Sequence, residues 1–236
     1  MPLVLNFHAY GSNAVEQELY TQMSAKAGAR GWIVVTPQGR VVGSDHFWQL
    51  ATTSPDVAFV AALVKKVSTT LCVDSRRTFA AGMSNGAGFS VTLACALPGR
   101  FAAIAPVAGL NLSPACSAST PHVAVLAFHG TDDSIVPYHG GLVFGRLPVV
   151  SVPRAFSAWV AFDGCKAKRA ATKIASDVRR IDAKKCPAGI AVSLYTVKGG
   201  GHTWPGAPVD IPDRTTTQSI DATRLILNFF AAHPRK

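Results

Sequence analysis

The sequence predicts an α/β fold built on a mostly parallel sheet of about six strands with flanking helices. Short apolar runs alternate with helical patterns from one end of the 236 residues to the other, the pattern of repeated strand–helix units. The runs are rich in Val, Ile and Ala and nearly free of charge, as strands covered on both faces must be. No repeat, low-complexity tract or composition shift marks a boundary, so residues 1–236 read as one domain, long enough to bury a sizeable core.

In order, strands are expected at Leu3–Phe7, Trp32–Thr36, Thr78–Gly82, Ala103–Gly109, Val123–Phe128 and Ile190–Val197. Helices are expected at about 14–29, Pro55–Leu71, 86–97, 153–162 and 218–232. The clearest runs from Pro55: Ser54 can cap it, Pro55 suits its first position and Asp56 favours the positive end of its dipole. Val57, Val60, Ala61, Val64, Val67 and Leu71 then recur at helical spacing and form one apolar stripe.

Composition narrows the function. With 48% hydrophobic and 15% charged residues, the chain has too much core-forming material for disorder. Its longest nearly uncharged stretch, Phe101 to Thr131, is broken by Pro106, Gly109, Pro114 and Pro121, so no membrane-spanning segment is expected. The start lacks the basic and long apolar regions of a signal peptide. The net charge of +10 raises nucleic acid as a partner. However, more than half of it collects between Lys166 and Lys185, where eight basic residues face only Asp177 and Asp182. Without interleaved aromatics or a zinc-finger spacing, this stretch reads as a solvated surface face, and no nucleic acid is expected. The five cysteines show no CxxC and no clustering with His, which argues against zinc. From the residues alone they are either reduced thiols or staples.

Gly82-Met-Ser-Asn-Gly86 fits G-x-S-x-G. The apolar run Thr78–Gly82 enters it and a small-residue helix leaves it, the strand–turn–helix setting that exposes a strained serine hydroxyl. The plain alternative is a glycine-lined turn with an incidental serine. Ser84 needs a base and an orienting acid, which in such folds follow in the order acid, then His, each on a loop after a strand. The strand ending at Phe128 runs into His129-Gly-Thr-Asp-Asp133, and the last strand runs into Gly199-Gly-Gly-His202. All of these fall on one edge of a parallel sheet, where sites lie. His8 and His129 each close a strand and read as local hydrogen-bonding residues; His46, His122, His139 and His233 read as surface. The oxyanion of acyl transfer needs backbone donors. Asn85, after the nucleophile, and Tyr10, in the turn His8-Ala-Tyr-Gly-Ser12, are the candidates.

These motifs resemble the secreted esterases grouped as polyhydroxybutyrate depolymerases and feruloyl esterases. The resemblance covers nearly the whole chain, through Pro2–His8, Pro37-Gln-Gly39, Asp56-Val-Ala-Phe59, Asp74-Ser-Arg-Arg77, Gly82–Gly86, Leu93-Ala-Cys95, Phe101–Gly109, His129–Asp133, Val136-Pro-Tyr138 and Gly200–Gly206. It implies an α/β-hydrolase with Ser84 as nucleophile, His202 as base and Asp133 as acid. Asp133 follows from the family's His-Gly-Thr, one variable residue, then Asp; Asp132 fills the variable place. Trp204 resembles an aromatic bordering the acyl pocket, with core packing as the alternative.

The resemblance also implies a Cys165–Cys186 bridge, and it leaves room for a second between Cys72 and Cys95, with Cys116 over. Two departures stand out. Ala9 replaces a Gly, which would alter the oxyanion turn. Only seven residues precede His8, where the family has a signal peptide and one or two antiparallel strands, so the chain reads as a trimmed form.

The expectation is therefore a secreted serine carboxylic-ester hydrolase, needing no metal or cofactor, monomeric, and acting on a polyester or on feruloyl or acetyl esters of plant polysaccharide. The alternatives are peptidase or acyltransferase chemistry on the same fold, or a non-catalytic binder of acidic polymers through residues 166–185.

Overall fold

A computed structural model describes residues 1–117, 119–209 and 211–236, with only the backbone described for 42 and 167–171. The chain runs β1 (Leu3–Phe7), α1 (Ala14–Thr21), α2 (Met23–Gly28), β2 (Ile33–Val35), β3 (Arg40–Val42), β4 (Asp45–Phe47), α3 (Pro55–Thr70), β5 (Thr78–Met83) and α4 (Asn85–Ala96). It continues through β6 (Ala103–Val107), β7 (Ala124–Gly130), β8 (Gly141–Val143), β9 (Leu147–Val149), α5 (Val152–Phe162), β10 (Lys166–Lys173), β11 (Val178–Lys184), β12 (Val192–Val197) and α6 (Ala222–Ala232).

Eight strands form one sheet in the order β10-β11-β12-β7-β6-β5-β1-β2. From β12 to β2 the pairing is parallel throughout, and these are the six strands expected from the apolar runs. Alternate residues of β1 serve opposite layers. Leu3, Leu5 and Phe7 join Val60, Phe89 and Trp159 in the core beneath α3, α4 and α5. Val4 joins Met23, Phe79 and Phe230 in the core beneath α2 and α6. Asn6 shares that second face without being apolar. It donates to Thr21 Oγ1 and accepts from Gln17 Nε2, both at 2.9 Å, so a satisfied buried polar pair pins α1 to the sheet.

Helix α3 has the expected cap: the Ser54 hydroxyl accepts from Val57 N–H, Pro55 opens the helix, and Val57, Val60 and Val64 are buried. The single helix expected over 14–29 is two. Gln22, left-handed at φ +52°, ends α1 through a bond from its N–H to Glu18 O, and α2 starts after it.

The segment 166–185 stays a surface face, as read, but corrects the strand count of the sheet from about six to eight. It is an antiparallel hairpin, β10 and β11, that extends the sheet beyond β12. Its basic residues hide the alternation that marks a strand. Val178 is buried, while Arg180 donates to Asp182 Oδ2 at 2.8 Å and lies over the Tyr195 ring. The side chains of Lys168 and Arg169 lie outside the described residues.

The cysteine pairing is a second correction. Cys165–Cys186 is bridged as the resemblance implies, but Cys95 pairs with Cys116, and Cys72 is free and exposed. Cys95 lies in the last turn of α4, where the loop after β6 brings Cys116 against it, whereas Cys72 follows α3. Among the described residues, no helix is long and apolar enough to cross a membrane.

Candidate active site

Strand β5 is buried throughout and delivers the chain into Ser84, which turns at φ +54° and ψ −120°. A side chain held in so sparsely populated a region costs on the order of 1–3 kcal/mol and persists only where its surroundings dictate it. They do so here: Ser84 N–H donates to Val107 O at 2.9 Å, and Ser84 O accepts from Gly88 N–H at 3.0 Å. The turn is also jammed against the end of β1. A Cβ on Gly86 would lie 2.3 Å from Phe7 O and 2.5 Å from His8 O, and one on Gly82 would lie 2.5 Å from Gly86 C. These are backbone atoms that cannot swing away, so both glycines of the motif are steric requirements.

Asn85 opens α4, so its N–H has no intrahelical partner. Its side chain grips the loop before α3, accepting from Trp48 N–H at 2.7 Å and donating to Trp48 O at 2.9 Å.

On the other side of β6, strand β7 ends at Gly130 and the loop beyond it carries Asp133, whose side chain is fully buried. Asp133 Oδ1 accepts from Ile135 N–H at 2.9 Å and Val136 N–H at 2.8 Å. Asp133 Oδ2 accepts from His202 Nδ1 at 2.8 Å. His129 adds a contact that the motif does not reveal: its Nε2 lies 3.2 Å from the same Oδ2 and 2.9 Å from Val136 O. Burial pushes the Asp133 carboxyl up, but the hydrogen bonds from His129 and His202 and their charge outweigh it and hold the group well below the usual carboxylate range. Asp132 is exposed and takes its bond from the neighbouring Thr131 hydroxyl.

The loop after β12 carries His202 toward Asp133 because its backbone touches that of β7. A Cβ on Gly130 would lie 2.1 Å from Gly200 O.

Ser84 and His202 line one cleft of about 460 Å³, together with Tyr10, Leu19, Ile135 and Phe144. Among the described residues no hydrogen bond joins Ser84 Oγ to His202; such bonds commonly tighten only around a bound reactant. The loop after β1 forms another wall. Burial holds His8 below the usual histidine range, and it is wired at both nitrogens: Nδ1 donates to Ala9 O at 2.7 Å and Nε2 accepts from Gly39 N–H at 2.9 Å. That wiring fixes the backbone bearing the Tyr10 N–H. Gly11 N–H is engaged with His46 O, and Gly11 takes the left-handed φ of +72°. Ala9 has no positive φ, so its methyl group brings no backbone strain to the turn.

Of the residues singled out in the sequence, Ser84, His202 and Tyr10 meet at the cleft, with Asp133 behind His202. Trp204 takes the core-packing alternative. It is 1% exposed and lies in the core, with Nε1 donating to Thr223 Oγ1 at 3.0 Å. It stands behind the cleft, its N–H donating to the hydroxyl of Tyr20, which does line it.

Residues that motif reasoning missed are His129, whose contact with Asp133 is tertiary, and Glu16, Phe144 and Arg214, which reach the cleft from separate elements. Arg214 donates to His202 O at 3.5 Å. Among the described residues, none that line the cleft come from the basic hairpin. Among the described residues, no three of His, Cys, Asp or Glu are grouped so as to hold a metal ion.

Residues 1–136, more than half of the chain, match the family described as Esterase PHB depolymerase. Feruloyl esterase B of Piromyces equi is 30% identical over 214 residues, covering 85% of this chain and 39% of its own length. Feruloyl esterase C of Emericella nidulans is 35% identical over 114 residues, covering 48% of this chain and 40% of its own. The chain thus spans less than half the length of either relative. The solved acetyl xylan esterase from Aspergillus awamori matches with a TM-score of 0.68 at 13% identity, over 98% of this chain and 89% of that one, a likeness of fold. With an elbow serine between strand and helix, a buried Asp–His pair on the same sheet edge and this profile match, the chain is an α/β-hydrolase belonging to the Esterase PHB depolymerase family.

Proposed function

We propose that residues 1–236 form a single catalytic domain of a serine carboxylic-ester hydrolase. The observation that carries this reading is the shared cleft: a serine held at φ +54° faces the same space as a histidine whose Nδ1 is fixed by a buried carboxylate at 2.8 Å.

Ser84 Oγ attacks the ester carbonyl carbon while His202 Nε2 takes its proton. The tetrahedral intermediate then collapses as His202 returns that proton to the leaving alcohol, leaving an acyl group on Ser84. Water, deprotonated by the same nitrogen, releases the acid. Asp133 keeps the Nδ1–H tautomer facing itself, so Nε2 is free to accept, and it stabilises the imidazolium. The N–H groups of Asn85 and Tyr10 are assigned to the oxyanion; a single donor of this kind is worth on the order of 10²–10³ in rate.

The substrate class follows the family and its relatives: a hydroxyalkanoate polyester, or feruloyl or acetyl esters of plant polysaccharide. Two disulfides fit an enzyme that works in an oxidising, extracellular setting. Hydrolysis of p-nitrophenyl acetate tests the reading. Ser84→Ala must abolish it, and turnover that survives the substitution overturns the assignment.

A further inference from the structure

The two N–H groups assigned to the oxyanion ride on different elements, that of Asn85 on the first turn of α4 and that of Tyr10 on the loop after β1. Such a pair stabilises charge only if its spacing suits one oxygen. Trp48, in the loop that leads from β4 to α3, touches both elements. Its backbone N–H donates to Asn85 Oδ1 at 2.7 Å, and its carbonyl accepts from Asn85 Nδ2 at 2.9 Å. Its indole Nε1 donates to His8 O at 3.2 Å, two residues before Tyr10.

The indole is also wedged between the same two elements. It stacks on Phe89 of α4, with ring centroids 4.9 Å apart and planes 8° apart, and meets Phe7 of β1 edge-on at 5.2 Å. Packing explains the burial of the ring, which is 1% exposed. It does not explain the hydrogen bonds. A phenyl ring would fill most of the wedge without offering a donor to His8 O. Trp48 also lies outside the strands, yet both its backbone groups are paired as a strand partner would pair them, by one amide side chain. That amide belongs to the residue after the nucleophile.

We propose that Trp48 is a positioning residue that sets the spacing of the two oxyanion donors. Its backbone grips the Asn85 side chain, and its indole holds the carbonyl of His8. This rests on the ester-hydrolase reading above. Trp48 is not among the described residues that line the cleft, so it acts through the donors rather than on the substrate. Losing a donor outright costs on the order of 10²–10³ in rate, and a misplacement of about 1 Å can cost 10²-fold. Because the oxyanion exists only in the transition state and intermediate, the loss belongs in kcat and not in KM.

The test uses the wild type, Trp48→Phe, Asn85→Ala and the double variant. Trp48→Phe keeps an aromatic ring and removes the indole donor; Asn85→Ala keeps the backbone N–H and releases the grip on Trp48. Each is assayed for hydrolysis of p-nitrophenyl acetate and for inhibition by a trifluoromethyl ketone. Ser84 Oγ adds to the ketone carbon, its proton passes to His202, and the carbonyl oxygen becomes the oxyanion. Each single variant should lose about 10- to 100-fold in kcat with KM within about twofold. The inhibition constant should rise by the factor that kcat/KM falls. The two links act in series, so the double variant should fall within about twofold of the worse single.

A kcat within twofold of wild type in both single variants overturns the proposal. So does a kcat loss that leaves the inhibition constant unchanged, which would make Trp48 a packing residue only, or losses that multiply in the double variant. If Trp48→Phe does not fold, Asn85→Ala decides by the same two readouts. Failure of the underlying reading looks different: the wild type would not hydrolyse the ester at all, whereas turnover abolished by Ser84→Ala upholds that reading whatever the other variants do.

Discussion

Asp163 makes this protein's stability fall as pH rises, and Asp163→Asn should remove that dependence. The residue caps the C-terminal end of α5, where the helix dipole already disfavours a negative charge, and its side chain is completely buried. Oδ1 accepts from Val123 N–H at 3.0 Å, while Oδ2 is buried without a hydrogen-bond partner among the described residues. Burial pushes its pKa up to about 7, against a smaller opposing effect of the Val123 bond. The unfolded chain releases this proton near pH 4. Between about pH 4 and 7 the folded chain therefore binds more protons than the unfolded one, and stability declines across that window and is flat above it. At roughly 1.4 kcal/mol per tenfold change in proton concentration the full span is about 4 kcal/mol. Because the His122 imidazole, 3.6 Å from Oδ1 and 46% exposed, can offset part of it when protonated, about 2–4 kcal/mol is the working range. Asn keeps the acceptor for Val123 N–H and carries no charge at any pH. Denaturant unfolding of both proteins from pH 4 to 9 should give curves that coincide near pH 4, with the variant more stable by that amount above pH 7. A difference that does not change with pH, or a variant less stable at pH 8, refutes the reasoning.

Two further predictions concern the catalytic arrangement. Asp133→Asn should lower kcat for an ester by on the order of 10⁴, since an amide can present the wrong partner to His202 Nδ1. Asp132→Asn, altering an exposed side chain bonded to its neighbour, should leave kcat within about twofold; equal losses in the two variants would contradict the choice of acid. Gly130→Ala should cut kcat and slow the reaction of Ser84 with a small fluorophosphonate in parallel, because a Cβ placed 2.1 Å from Gly200 O displaces the loop that holds the base both reactions need. Wild-type kcat in that variant would show that the two loops do not depend on each other.

Much of the fold and the centre of the site are legible in the sequence, for identifiable reasons. Five strands buried almost throughout and the half-buried edge strand β2 leave uninterrupted apolar runs, whose ends lie within two residues of the strand ends in the structure. Ser84, Asp133 and His202 were readable because each sits on a loop fixed to the end of such a strand, in a local string with its own glycines. The β10–β11 hairpin was not, because an edge strand with lysines and arginines on its surface carries no alternating apolar signal; edges are blunted in just this way. The Cys95–Cys116 pairing, the burial of Trp204 and the His129 contact all depend on which segments pack together. That depends on tertiary geometry, which neither spacing nor family motifs determine. Phe144 was illegible for a different reason: Phe-Gly between two short strands is not a turn sequence that propensity selects, so the residue departs from its local rule where the cleft is.

The separation between the reactive groups is set by main-chain contact rather than by the catalytic side chains themselves. Gly86 lets the elbow touch the end of β1, which brings the Asn85 amide beside the loop bearing Tyr10. Gly130 lets the His202 loop rest on the end of β7, which brings the imidazole onto Asp133. Both contacts are between backbones of the parallel sheet's own strands and loops. The walls of the cleft are built differently. Leu19 comes from α1, Phe144 from an isolated hairpin and Val209 and Arg214 from the segment after β12, none of them in the main sheet. A change in one of those residues can alter which ester is accepted without moving the serine relative to the base. On the proposed reading, the chemistry is fixed by backbone contacts that tolerate no added Cβ, while selectivity rests on separate surface loops, so the motifs point to the reaction class and leave the substrate to the geometry of the cleft.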